Sequence, residues 1–130
     1  MITSVLLVAA VVLLYLGITG AGPEGNLGST DLHKATLEEE RFLSTDEVAD
    51  ILMKHKPDYV VVDVREEEDF QVYSLPGAGH VTPEGLLKTE NLKLFDDKDK
   101  TFILFSNGCS QANYSWLLLR KAGIKNIKVM

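Results

Sequence analysis

TFILFSNGCSQANYSWLLLRKAG, residues 101–123, is the stretch on which the fold of this chain turns. The run Thr101–Phe105 is apolar without polar alternation, which predicts a buried strand covered on both faces. It feeds a six-residue polar loop made of Ser106, Asn107, Gly108, Cys109, Ser110 and Gln111. The loop opens a helix that ends at Gly123, a natural residue for the position just past a helix terminus. Ala112, Ser115, Trp116, Leu119 and Ala122 fall on one face of that helix and predict its buried side. Strand, tight loop and helix N-terminus form an anion cradle, because backbone N–H groups converge on one small space. Ser106 stands at the end of the strand. Cys109, the only cysteine of the chain, stands three residues further on.

Upstream, Tyr59, Val60, Val61, Val62 and Asp63 make a second continuous β-branched run, again suited to a central parallel strand. Ser44, Thr45, Asp46 and Glu47 read as a capping box, with Leu43 and Val48 at the staple positions and Val48, Ile51 and Leu52 as the buried stripe. Pro57 stops that helix near His55. Residues 66–70 predict one or two helical turns with Phe70 inward, and 75–79 a turn. His80 and Val81 suit a very short strand. Thr82 and Pro83 start a brief helix that Gly85 interrupts, and residues 127–130 predict a last strand. Strands alternating with helices imply an α/β domain: a small parallel sheet flanked by helices, joined by right-handed crossovers.

The chain has 130 residues, enough for one ordinary domain. Nineteen acidic and thirteen basic residues give a net charge of −6 with no basic cluster, which argues against nucleic acid as a partner. A single cysteine makes no intrachain disulfide, and His33, His55 and His80 lack metal-ligand spacing. No metal and no cofactor is expected. Residues 1–22 carry no charged side chain and just reach the roughly 20 apolar residues that a spanning helix needs. A signal peptide would want a basic start, so the reading is an uncleaved single-pass transmembrane anchor. Lys34 and Arg41 follow it, which favours a cytoplasmic domain; cleavage would instead make the product secreted or periplasmic. Residues 23–41 read as a Gly-rich linker, with a short helix over 31–42.

These segments together resemble the rhodanese family. Val62, Asp63, Val64 and Arg65, then Asp69 and Phe70, then Leu75, Pro76, Gly77 and Ala78 are similar to its first block, D-V-R-x-x-x-E-F-x-x-G-H-I-P-G-A. The strand, the loop and the helix that runs on through Ala122, Gly123 and Ile124 resemble its second block. The match covers 42–130 and implies a three-layer rhodanese-like domain there. In that family the loop reads C-x-x-x-x-R, and the cysteine carries sulfane sulfur as a persulfide from donor to acceptor. Counting back from Ala122 and Gly123 puts Ser106 at the cysteine position and Gln111 at the arginine position. A hydroxyl cannot hold a persulfide, and Gln111 brings no positive charge. Tyr73 and Ser74 replace the family's Gly-His pair. The family's closing helix has no counterpart before residue 130, which implies apolar surface near Ile127 and Val129. Either residues 31–42 fold back over that surface or another chain covers it.

The expected function is therefore a membrane-anchored module lacking sulfurtransferase activity, binding a protein partner or a small anion at residues 106–111. Asp63 and Arg65 are the supporting residues: Arg65 either organises the loop or pairs with Glu66, Glu67 and Glu68 at the surface. The alternative is a sulfurtransferase or redox protein that uses Cys109 as its catalytic nucleophile, its thiol activated by the helix N-terminus. Trp116 is read as core.

Overall fold

The computed structural model describes residues 28–130, apart from the side chains of Ser29 and Cys109. The expected anchor lies outside the described residues. Among those described, no helix is long and apolar enough to cross a membrane.

Helix α1 (Ser29–Thr36) and a 3-10 turn (Glu39–Arg41) lead into α2 (Thr45–Met53) and strand β1 (Tyr59–Asp63). Helix α3 (Glu67–Val72), strand β2 (Gly79–His80) and a 3-10 turn at Pro83–Gly85 follow. Helix α4 (Thr89–Leu92) runs into a 3-10 turn (Lys93–Phe95), then β3 (Thr101–Phe105), α5 (Cys109–Lys121) and β4 (Ile127–Val129) complete the domain. The sheet has four parallel strands in the order β2-β1-β3-β4, with Tyr59 opposite Thr101 and Asp63 opposite Phe105.

Period-two alternation sends successive side chains to opposite faces, and both faces are covered. Val62, Val64, Phe102 and Leu104 pack with Ala112, Trp116 and Leu119 of α5. Val61, Ile103 and Phe105 pack with Val48 and Ile51 of α2. A continuous apolar strand needs such a layered arrangement, since each fully buried side chain of this size contributes about 1.5–3 kcal/mol. Helix α2 starts as its sequence demands. The Glu47 N–H donates to Ser44 Oγ at 3.2 Å, while the Ser44 N–H donates to Glu47 Oε2 at 2.8 Å. Those bonds to Ser44, backbone first and hydroxyl second, hold the Glu47 carboxyl below its ordinary value. Ser44→Ala should lower unfolding stability by about 1 kcal/mol in a denaturant titration.

The β4 edge is covered from within the chain. Phe42 bridges Val129 in parallel, and the Leu43 N–H donates to the Val129 carbonyl at 2.8 Å. Ala35 of α1 joins the core that buries Ile127 and Val129. Residues 31–42 thus fold back, though as a helix that stops at Thr36 and a separate turn rather than one helix. Two expectations about α5 need correction. Cys109, Ser110 and Gln111 already belong to the helix, so the loop contracts from six residues to Ser106, Asn107 and Gly108. Ala122 is exposed, because it is the C-terminal cap where the helix leaves the sheet; Gly123 follows with φ +94°.

Candidate functional site

Strand order places the site. From β1 the chain goes to β2 on one side and then to β3 on the other. The carboxyl ends of β1 and β3 therefore flank a topological switch point, the usual position of a site in an open parallel sheet. Val64 and Arg65 leave β1 there, and Ser106 and Asn107 leave β3 beside them, with the Val64 N–H bonded to the Phe105 carbonyl at 3.0 Å.

Arg65 ties the two exits together. It is 5% exposed and faces Asp63, which is 0% exposed. Its Nε donates to Asp63 Oδ1 at 2.9 Å, and Nη2 donates to Asp63 Oδ2 at 2.6 Å and to the Tyr73 carbonyl. Nη1 donates to Asn107 Oδ1 at 2.8 Å. Four of its five N–H donors are thereby engaged. The guanidinium lies 4.9 Å over the Phe105 ring. Asp63 also accepts the Arg65 backbone N–H at 3.0 Å and the Ser74 hydroxyl at 2.6 Å. Of the two roles open to Arg65, the geometry is that of a loop organiser and not of a surface partner for Glu66, Glu67 and Glu68.

Burial alone would push the Asp63 carboxyl up; the hydrogen bonds from Arg65 and Ser74 outweigh it and hold the group below the usual carboxylate range. The same bond to Asp63 holds Arg65 above its ordinary value, against burial. A depressed carboxyl contributes stability that is complete above the unfolded-state value, about 3.9, and is lost as pH falls through the folded value. Thermal melts should therefore be insensitive to this pair above about pH 5 and fall progressively below about pH 4. Asp63→Asn should flatten that acid limb.

The loop itself is closed inward. Ser106 is 8% exposed; its hydroxyl donates to the Gly108 carbonyl and accepts the Ala112 N–H at 3.1 Å. Gly108 caps α5 in extended backbone with no side-chain capping bond, and the first turn of α5 carries no acidic residue. Gln111 is half-buried in that turn, and Ser110 is exposed. The thiol of Cys109 lies outside the described side chains. Asn107 reaches outward as well, its Nδ2 donating to Asp69 Oδ2 at 3.3 Å. Glu66, Glu67, Glu68 and Asp69 are all exposed, and Asp69 brings a carboxylate to the loop.

Some contributors were not anticipated from sequence. Ser74, noted only as a departure from the family pattern, is a direct hydrogen-bond donor to Asp63. His80 stacks on Phe70 with ring centroids 4.2 Å apart, its Nε2 2.9 Å from the Arg65 carbonyl and its Nδ1 3.2 Å from Glu67 Oε2. Among the described residues no cluster of three or more His, Cys, Asp or Glu could hold a metal ion.

A parallel α/β sheet with a short loop and helix N-terminus at its switch point, braced by an arginine from the neighbouring strand, defines a class of small-domain scaffold. The sequence profile of the rhodanese-like domain matches residues 44–130, and the chain belongs to that family. None of the curated proteins compared with the chain matches it.

Proposed function

We propose that this chain is a membrane-tethered binding or regulatory module on a rhodanese-like scaffold, without sulfurtransferase activity. The observation that carries the reading is the state of Ser106. At the nucleophile's place stands a hydroxyl that gives its proton to the Gly108 carbonyl and accepts the Ala112 N–H. A persulfide cannot form on oxygen, and this hydroxyl is tied to the loop and to the first turn of α5.

Electrostatics support the same reading. Sulfur donors such as thiosulfate are anions, and the cation nearest the loop is paired with Asp63 and bonded to Asn107. Asp69, one of four exposed carboxylates in a row at 66–69, reaches the loop at Asn107. A protein partner fits better than a small anion. Val72 and Tyr73, 87% and 63% exposed, stand next to this acidic helix and offer apolar contact area. Such a partner would be basic with an apolar centre. The uncharged segment 1–22 supports the tether.

The test is a thiosulfate:cyanide transfer assay on the full chain beside its Cys109→Ser variant. No turnover above the variant is expected; turnover well above it would overturn the reading. One observation favours the second reading. Cys109 is the first residue of a 13-residue helix whose first turn has no acidic side chain, and thiols at helix N-termini are the nucleophiles of many sulfur-handling sites. Its thiolate would take the outer sulfur of thiosulfate, forming a persulfide and releasing sulfite. Intact-protein mass spectrometry after exposure to thiosulfate should find no gain of one sulfur atom if the first reading holds.

A further inference from the structure

Beyond the loop, a pocket of about 150 Å³ lies at the other end of α5, against β4 and the 3-10 turn before α2. Arg41, Arg120, Lys125 and Lys128 line it, with Trp116 as its wall. Among the described residues none of these four cations has a carboxylate within 4.0 Å. Glu38 and Glu40 border the same pocket and lower its field, yet neither closes an ion pair with it. Lys128 Nζ instead donates to the Glu40 backbone carbonyl at 2.6 Å.

Aromatic stacking, and not ion pairing, holds the arginines. The Arg41 guanidinium carbon lies 4.6 Å from the Trp116 ring centroid and 4.4 Å from that of Phe42. That of Arg120 lies 5.6 Å from Trp116, and its Nη1 bonds the Lys125 carbonyl at 3.4 Å. The Nε atoms of both are buried without a hydrogen-bond acceptor. Cation–π contact satisfies the faces of these guanidiniums without neutralising their charge, so an oxyanion can still be drawn to their N–H groups. Lys128 also acts on Glu47 through its field, but in a chain of net charge −6, four cations without a contact ion pair around one small concavity are not an average of the surface.

We infer that this pocket binds a phosphate group. Its volume is well below the roughly 300–1,000 Å³ of sites for drug-sized ligands, so it admits one oxyanion group and not a larger molecule. The group could arrive as inorganic phosphate or as the headgroup of an anionic lipid, and the experiment separates the two. The site stands independently of the function proposed for the loop.

Trp116 is the only tryptophan of the chain, so its emission reports on the pocket directly. The full chain is titrated with inorganic phosphate in the presence of phosphatidylcholine vesicles, with chloride at matched ionic strength as the control. A parallel preparation contains phosphatidic acid. A saturable change with phosphate identifies the free ion as ligand. A change only in phosphatidic acid vesicles identifies the headgroup. In either case Arg120→Gln and Lys125→Gln should each weaken the response about tenfold. Lys125 is exposed, so its variant tests the site without disturbing the core. The inference is overturned if chloride matches phosphate and phosphatidic acid adds nothing. A response that Lys125→Gln and Arg120→Gln leave unchanged, with both variants folded, also overturns it.

Discussion

Arg65→Ala should lower the unfolding free energy by about 3–5 kcal/mol, a large part of the total of about 5–15 kcal/mol typical of a domain. The cost comes from what is left behind. Asp63 is fully buried, and without the guanidinium it keeps only Ser74 and a backbone N–H as partners. Asn107 and the Tyr73 carbonyl lose a partner at the same time. A urea titration followed by far-UV circular dichroism measures the loss; a shift under about 1 kcal/mol would sink the argument. Asp63→Ala with Arg65→Met should be less destabilising than the two single changes added together, since removing both charges removes the buried unpaired one.

Trp116→Ala should be about as severe, at roughly 3–5 kcal/mol, or a fall in melting temperature of ~12 °C or more. The ring is 1% exposed in the core between α5 and the sheet, and its Nε1 donates to the Ile127 carbonyl at 3.3 Å. Truncation leaves a cavity, an unpartnered carbonyl at the start of β4, and two guanidinium groups without the ring they stack on. Trp116→Phe should recover most of the packing but not the hydrogen bond. Scanning calorimetry of the three proteins separates the two contributions, and a loss in Trp116→Ala below about 1 kcal/mol would contradict the packing argument.

The parts of this fold legible in sequence are those set by local pattern. β1 and β3 were bounded correctly at both ends, because each is an uninterrupted apolar run closed by polar residues. The Ser44 and Glu47 box was legible because its donors and acceptors lie within four residues. What pattern could not reach was non-local. That Arg65 meets Asn107 depends on β1 and β3 being neighbours in register, 42 positions apart. The early start of α5 was hidden because Ser106, Asn107, Gly108 and Ser110 all favour turns, while the helix is held by packing of Ala112 and Trp116. The role of Ser74 likewise needed the tertiary contact with Asp63 to become visible.

The two sheet edges constrain how any partner can attach. β2 is two residues long and lies between Pro76 and Pro83, neither of which can donate a backbone N–H. β4 is three residues long, and Phe42 already occupies its outer side at Val129. Neither margin offers a run of free N–H and C=O groups long enough to template an incoming strand. Among the described residues, neither edge is therefore suited to strand addition or to edge-to-edge pairing. Surfaces of this kind are read through side chains, where a handful of residues carries most of the binding energy.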